Sequence, residues 1–425
     1  MIEINGAKNS QGQEVNIQIP SEINQIINGH GLIAMPGLID PHVHFRIPGQ
    51  AHKEDWETGA RAALSAGYTA VADMPNNIPA CVSLERLLKK EEIINDYLNN
   101  SKPALALNYF LYLGADRKNF DQISLVKNYK NLKNRVVGIK VFMGSSTGEL
   151  LMEDNSSLHA IFALAKFHDF LIAVHAEDDL LIKERSNLYP NTCCFSDHSK
   201  IRSPEVAASA VKLALNLAQE YGVRLYILHV STKLELDLIQ EAKNKGVDVF
   251  AEACPHHLFL NHKDYENFGA DKGGLFKMNP PLRSPEDQEY LLEAVKSGLI
   301  DTLGSDHAPH TLQEKSLKQD QPISECPSGV PGIETNLPLL LNAVNQNILN
   351  LSHVENLCVH GPRRLFKLKE ESHDWVLIDL NKEKVVNGED FYTKCHWSPF
   401  SGKILKGWPV MTICQGRIYE SIKSC

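Results

Sequence analysis

No stretch of the chain stays apolar for the roughly 18 residues that a membrane-spanning helix needs, so no membrane association is expected. Cysteine is sparse and irregular: there are nine, an odd number, and none falls at metal-finger spacing. Cys193 and Cys194 form the one close pair, and adjacent cysteines rarely bridge. Reduced thiols in a cytoplasmic protein are the expectation. Positive charge is also short. Lys and Arg number 43 against 52 Asp and Glu, a formal net charge of -9, which leaves no global field for nucleic acid. An acidic substrate would have to be held by a few local cations. The first twenty residues have no basic stretch leading into an apolar run, so no secretory signal is expected. No internal repeat or low-complexity segment is present. What remains is 43% hydrophobic and 22% charged, the composition of an ordinary globular protein.

At 425 residues the chain exceeds a small domain. Its middle alternates β-rich apolar runs with amphipathic helical stretches. Eight runs read as strands: 37–45, 69–75, 104–114, 136–143, 170–177, 224–231, 247–255 and 300–308. Several are apolar throughout, as parallel strands covered on both faces require. Ser203-Pro204-Glu205 and Ser284-Pro285-Glu286 read as helix starts, and Gly246 and Gly298 sit where helices should stop. This pattern predicts an α/β fold, a (β/α)8 TIM barrel over 37–373. A doubly wound sheet is the rival, but no GxGxxG follows the first strand. Short strand-like runs in 1–36 and 374–425 are expected to pair as a small β-subdomain beside the barrel. Residues 311–332 read as a long loop, of the kind that carries function at a barrel mouth.

Polar residues close several of the apolar strands. His42 and His44 are two apart on the first, so both side chains share one face and can reach one ion. His175, His229 and Asp306 end three more. In a barrel these ends converge on one mouth. Lys140 lies within the apolar run VVGIKVFM, where an unpaired ammonium would be costly.

The string DPHVHFRIPGQAHKEDWETGARAALSAGYTAV resembles the opening of dihydroorotases of the amidohydrolase superfamily. So do MPNNIP, IKVFMG, HAE, HVST, EACPHHLFL, KMNPPLR, SDHAPH, SGVPGIETNLPLL and, near the end, CHWSPFSGKILKGWPV. The resemblance implies a zinc-dependent cyclic amidohydrolase with two divalent metal ions, expected to be Zn2+. His42, His44 and Asp306 would hold one, and His175 and His229 the other. Lys140, carboxylated by CO2 to a carbamate, would bridge them. Asp306 would also carry the catalytic proton. Arg46 and Asn76 match residues that grip a substrate carboxylate, Asn279 and His310 match further substrate contacts, and the backbone at Pro331 and Gly332 matches the ring-recognition segment. Thr147 falls where some relatives place a hydroxyl on a lid loop. Ile47 and Asn77 depart from the usual Glu and Thr. His256 and His257 read as packing behind the ligands.

The implied reaction is the reversible hydrolysis of dihydroorotate to N-carbamoyl-L-aspartate in pyrimidine synthesis, by a homodimeric cytoplasmic enzyme with a small-molecule substrate. Allantoinase, hydantoinase and dihydropyrimidinase activities are the enzymatic alternatives, and a non-catalytic scaffold the alternative of another class. Arg46 separates the first group, because dihydropyrimidine and allantoin lack the carboxylate it would bind. A scaffold would be expected to have lost ligands, and all six positions are filled.

Overall fold

The structure is a computed structural model. It describes residues 1–132, 134–145, 150–267, 272–317, 320–369 and 373–421. Fifteen strands in these residues form two sheets. Four precede the barrel: β1 (Ile2–Lys8), β2 (Glu14–Ile19), β3 (Gln25–Asn28) and β4 (Ile33–Pro36). The next eight are β5 (Leu38–Val43), β6 (Tyr68–Asp73), β7 (Asn108–Gly114), β8 (Val136–Phe142), β9 (Leu171–His175), β10 (Leu225–Ile227), β11 (Val249–Ala253) and β12 (Thr302–Leu303). They pair in chain order and parallel throughout. Every residue of β5, β6 and β9 is buried, so their unbroken apolar character follows from cover on both faces.

The seam between β12 and β5 is closed by a parallel bridge from Val43 to His307 and by His44 N donating to His307 O at 2.9 Å. Asp40 adds to it, accepting from His42 N at 3.1 Å and Ser305 N at 3.0 Å. The eight-stranded TIM barrel expected from the sequence is therefore present. Leu365 joins the apolar layer inside the barrel, with Ala72, Tyr112, Ala173 and Tyr226. Phe366 packs on Phe110 and Tyr112.

The predicted helix punctuation also holds. Ser284 accepts from Asp287 N at the start of the helix Pro285–Lys296, and Gly298 follows that helix with φ 76°. Gly246 follows the helix Lys233–Asn244 with φ 81°. Ser203 is an N-cap by position only, its hydroxyl donating to Glu205 rather than accepting from the helix.

The second sheet joins both ends of the chain. β4 runs antiparallel to β13 (Trp375–Val385), which pairs with β14 (Ile404–Cys414), and that strand with β15 (Arg417–Glu420). Between β13 and β14 the chain leaves this sheet. Phe391, Trp397 and Phe400 there pack with Phe276, Met278 and Leu282 of the barrel's loops. Thr393 donates to Glu54, Lys394 pairs with Asp55, and Trp397 Nε1 donates to His310 O at 2.7 Å. The C-terminal segment thus reaches the barrel mouth. Among the described residues no helix is long and apolar enough to cross a membrane.

Candidate active site

At the end of β5 the period-two alternation turns His42 and His44 to the same side. Asp306 Oδ1 meets both, 3.3 Å from His42 Nε2 and 3.1 Å from His44 Nε2. Each ring is oriented from behind. His42 Nδ1 donates to Glu252 Oε1 at 2.8 Å, and His44 Nδ1 lies 2.8 Å from Asn76 Oδ1. A proton held on Nδ1 leaves Nε2 as a bare lone pair, the form a metal binds.

Across the mouth, His175 Nδ1 and His229 Nε2 lie 3.0 Å apart. Zinc–nitrogen bonds of about 2 Å would bring two ligands of one ion to roughly this spacing. His175 Nε2 faces Glu177 Oε2 at 3.1 Å. Glu177 also pairs with Arg202, which donates to Ser145 O. Lys140 is 1% exposed, with Nζ 4.6 Å from the centroid of the Phe142 ring. Burial takes its ammonium down to about 7, against the pull of Asp306 and Glu252. Burial likewise lowers His44 to about 3 and depresses His175 and His229. These imidazoles are neutral near pH 7, as ligation requires. For Asp306 burial alone would raise the carboxyl, but His42, His44 and His229, where they carry a proton, outweigh it and pull it well below the usual range.

Three site residues hold left-handed backbone without being glycine: Arg46 at φ 63°, His229 at 39° and Asp306 at 44°. Such conformations cost of order 1–3 kcal/mol each and persist only where surroundings impose them. Glu252 is central to that support. It accepts from His42, from His229 N at 3.0 Å and from the Tyr226 hydroxyl. The Gly in Gly304-Ser305-Asp306 leaves room for it, since a Cβ at Gly304 would lie 2.2 Å from Glu252 Oε2.

Arg46 is 3% exposed. Its Nε donates to Pro309 O at 3.1 Å, and Nη2 lies 3.2 Å from His310 Nε2. Among the described residues no carboxylate pairs with it. The rim acids are committed elsewhere, Glu54 to His307 and Thr393, and Asp55 to Lys394. Burial lowers the guanidinium only to about 10, so it stays charged. His310 Nδ1 accepts a hydrogen bond from Lys53 Nζ at 3.1 Å, and its Nε2 donates one to Ser328 O at 3.2 Å. Burial and the cations Arg46, Lys315 and Lys53 keep it neutral.

A small cavity of about 30 Å³ is lined by His42, His44, Lys140, His175, His229 and Asp306, together with Arg46, Asn76, Asn279, Ser328 and Gly329. An outer cavity of about 470 Å³ shares Asn279 and Ser328 with it. Asn279 Oδ1 is fixed 3.0 Å from His198 Nε2. Pro331 and Gly332 line a different, smaller space beside His307, whose Nδ1 accepts from Gly332 N at 3.2 Å. The loop brings Ser328 and Gly329 to the inner cavity in their place. Thr147 lies outside the described residues.

Residues 33–354 match the amidohydrolase family. A dihydroorotase of Pyrococcus abyssi is 37% identical over 93% of this chain and 85% of its own. One of Halobacterium salinarum is 34% identical over 90% and 85%. The chain belongs to the dihydroorotase family. In three dimensions it is similar to an L-hydantoinase (dihydropyrimidinase) from Arthrobacter aurescens, with a TM-score of 0.90, 26% identity and coverage of 100% and 96%. Membership implies use of divalent metal, and the convergent nitrogens and carboxylate fit it. His42, His44 and Asp306 place ligand atoms within 4.8 Å of one another.

In a dihydroorotase built this way, Glu252 should govern metal affinity without touching the ion. Glu252→Gln is expected to weaken metal binding by about 10–100-fold, measured by chelator competition. Unchanged affinity in a folded variant would remove Glu252 from that role.

Proposed function

We propose that the protein catalyses the reversible hydrolysis of the cyclic amide of dihydroorotate to N-carbamoyl-L-aspartate, a step of pyrimidine biosynthesis. The observation that carries this reading is Arg46: a buried, charged guanidinium beside the candidate ligands, lining their cavity and paired with no carboxylate among the described residues. A planar fork of donors there suits a substrate carboxylate. His42, His44 and Asp306 would hold one divalent ion and His175 and His229 a second, with Zn2+ the expected identity. Ions there would supply Lewis acidity, polarising the amide carbonyl and lowering the pKa of water toward neutrality.

The remaining chemistry falls to the chain. The Lys140 amine, brought to about 7, has a neutral form in quantity near neutral pH. That form adds through nitrogen to CO2, releases a proton and becomes the carbamate that bridges the two sets of ligands. Asp306 takes the proton of the attacking water and returns it to the leaving ring nitrogen. Asn76 holds His44 in place and, with Asn279 and His310, supplies the polar wall around the ring. Pro331 and Gly332 contribute through His307. A homodimer belongs to the same reading, and sedimentation velocity measures it.

The test compares substrates. Wild type is expected to turn over dihydroorotate far better than dihydrouracil, hydantoin or allantoin. Arg46→Ala should lose at least about tenfold in kcat/KM for dihydroorotate, because charge-assisted hydrogen bonds contribute roughly 1.5–3 kcal/mol each. Its metal content should stay near wild type. Preference of wild type for an uncharged ring would instead favour a hydantoinase or dihydropyrimidinase activity.

A further inference from the structure

The C-terminal end of β11 carries a second cluster of ligand-type residues that the proposed reaction does not use. Cys254 follows the strand, and His256 and His257 lie in the short helix Pro255–Phe259. All three are buried, and each offers one ligand atom within 4.8 Å of the other two. The histidine rings are in edge contact, 4.4 Å between centroids.

Two details point to a ligand rather than to packing. His257 Nε2 donates to Pro280 O at 3.0 Å, which fixes the proton there and leaves Nδ1 as a bare lone pair. That Nδ1 is buried without a hydrogen-bond partner, and so is His256 Nε2. Buried polar atoms are nearly always satisfied, so two orphaned nitrogens beside one buried sulfur need a partner. A backbone carbonyl holding one ring nitrogen while the other stays open is the arrangement that orients a histidine toward a metal.

We propose that Cys254, His256 and His257 form a separate metal site, one thiolate and two imidazoles, for a thiophilic ion of the Zn2+ class. The number and type of ligands match zinc sites with three protein ligands. Binding converts the Cys254 thiol to a thiolate with release of one proton to solvent, and both imidazoles bind as the neutral form. Glu252 Oε1, 4.0 Å from Cys254 Sγ, makes a bare thiolate unfavourable and a cation favourable in the same place. Burial, with Glu252 and Asp306, pushes the empty thiol well up. The site shares no ligand with the catalytic set and does not depend on which cyclic amide is the substrate.

Sulfur makes the test selective. The catalytic set offers only nitrogen and oxygen, so Co2+ bound there gives no thiolate-to-metal charge-transfer band in the near ultraviolet. The full-length protein, reconstituted with Co2+, is expected to show that band and to hold one more ion than Cys254→Ala. The band should vanish in Cys254→Ala and survive in Cys193→Ala/Cys194→Ala, which removes the two exposed thiols among the described residues. The proposal is overturned by any one of three results: no band in wild type at saturating Co2+, a band that persists in Cys254→Ala, or a band lost with the exposed pair. If Cys254→Ala does not fold, Cys254→Ser, which removes the sulfur and keeps the side-chain size, is read in its place by the same criteria.

Discussion

Lys140→Ala is expected to lose most bound metal and most turnover together. The side chain enters from β8, 1% exposed, and lines the same cavity as both groups of candidate ligands, and its position inside an apolar strand has no structural return of its own. Loss of a group that merely supports a ligand weakens binding by about 10–100-fold, and loss of a bridging ligand should exceed that. Alanine also leaves space beside Phe142, so short carboxylic acids added to the variant are expected to restore part of the activity by occupying the bridge. Elemental analysis and turnover, with and without such acids, make the measurement. A folded Lys140→Ala that keeps its metal and its rate without additives would end the bridging role.

Asp306→Asn should separate chemistry from binding. The substitution is nearly isosteric and keeps an oxygen where His42 and His44 now meet Oδ1. It removes the carboxylate that would carry the proton. A general acid–base group contributes typically about 10²–10⁴-fold, and a fall in kcat of that order or more is expected in the metal-loaded variant. Wild-type kcat with full metal would assign the proton transfer to another group.

The barrel was legible because its signal is repeated. Eight apolar runs alternate with helices, and each maps onto a strand of the closed sheet. The candidate ligands were legible for the same reason, as polar residues recurring at strand ends. Glu252 sent an equivalent signal, an acid inside VFAEACP, and was overlooked because an acid there resembles a strand terminus. Glu177 and Arg202 lie in HAE and IRSPE, and only the fold brings them together. The left-handed backbone at Arg46, His229 and Asp306 could not be read at all. Local preference disfavours it, and tertiary contacts impose it. Pro331 and Gly332 show a further limit: a motif fixes which loop approaches the site, while its path puts Ser328 and Gly329 at the wall.

The bond from Trp397 to the His310 carbonyl, and the contacts of Thr393 and Lys394 with Glu54 and Asp55, have a meaning for how the protein is made. His42 and Arg46 leave the ribosome well before the residues that brace the wall around them. Until Thr393, Lys394 and Trp397 emerge, Glu54 keeps its His307 and Thr58 partners, Asp55 keeps its helix-capping bonds, and the His310 carbonyl lacks its indole donor. A chain that ends before the Trp397 codon would therefore lack the brace on the wall around Arg46 and His310.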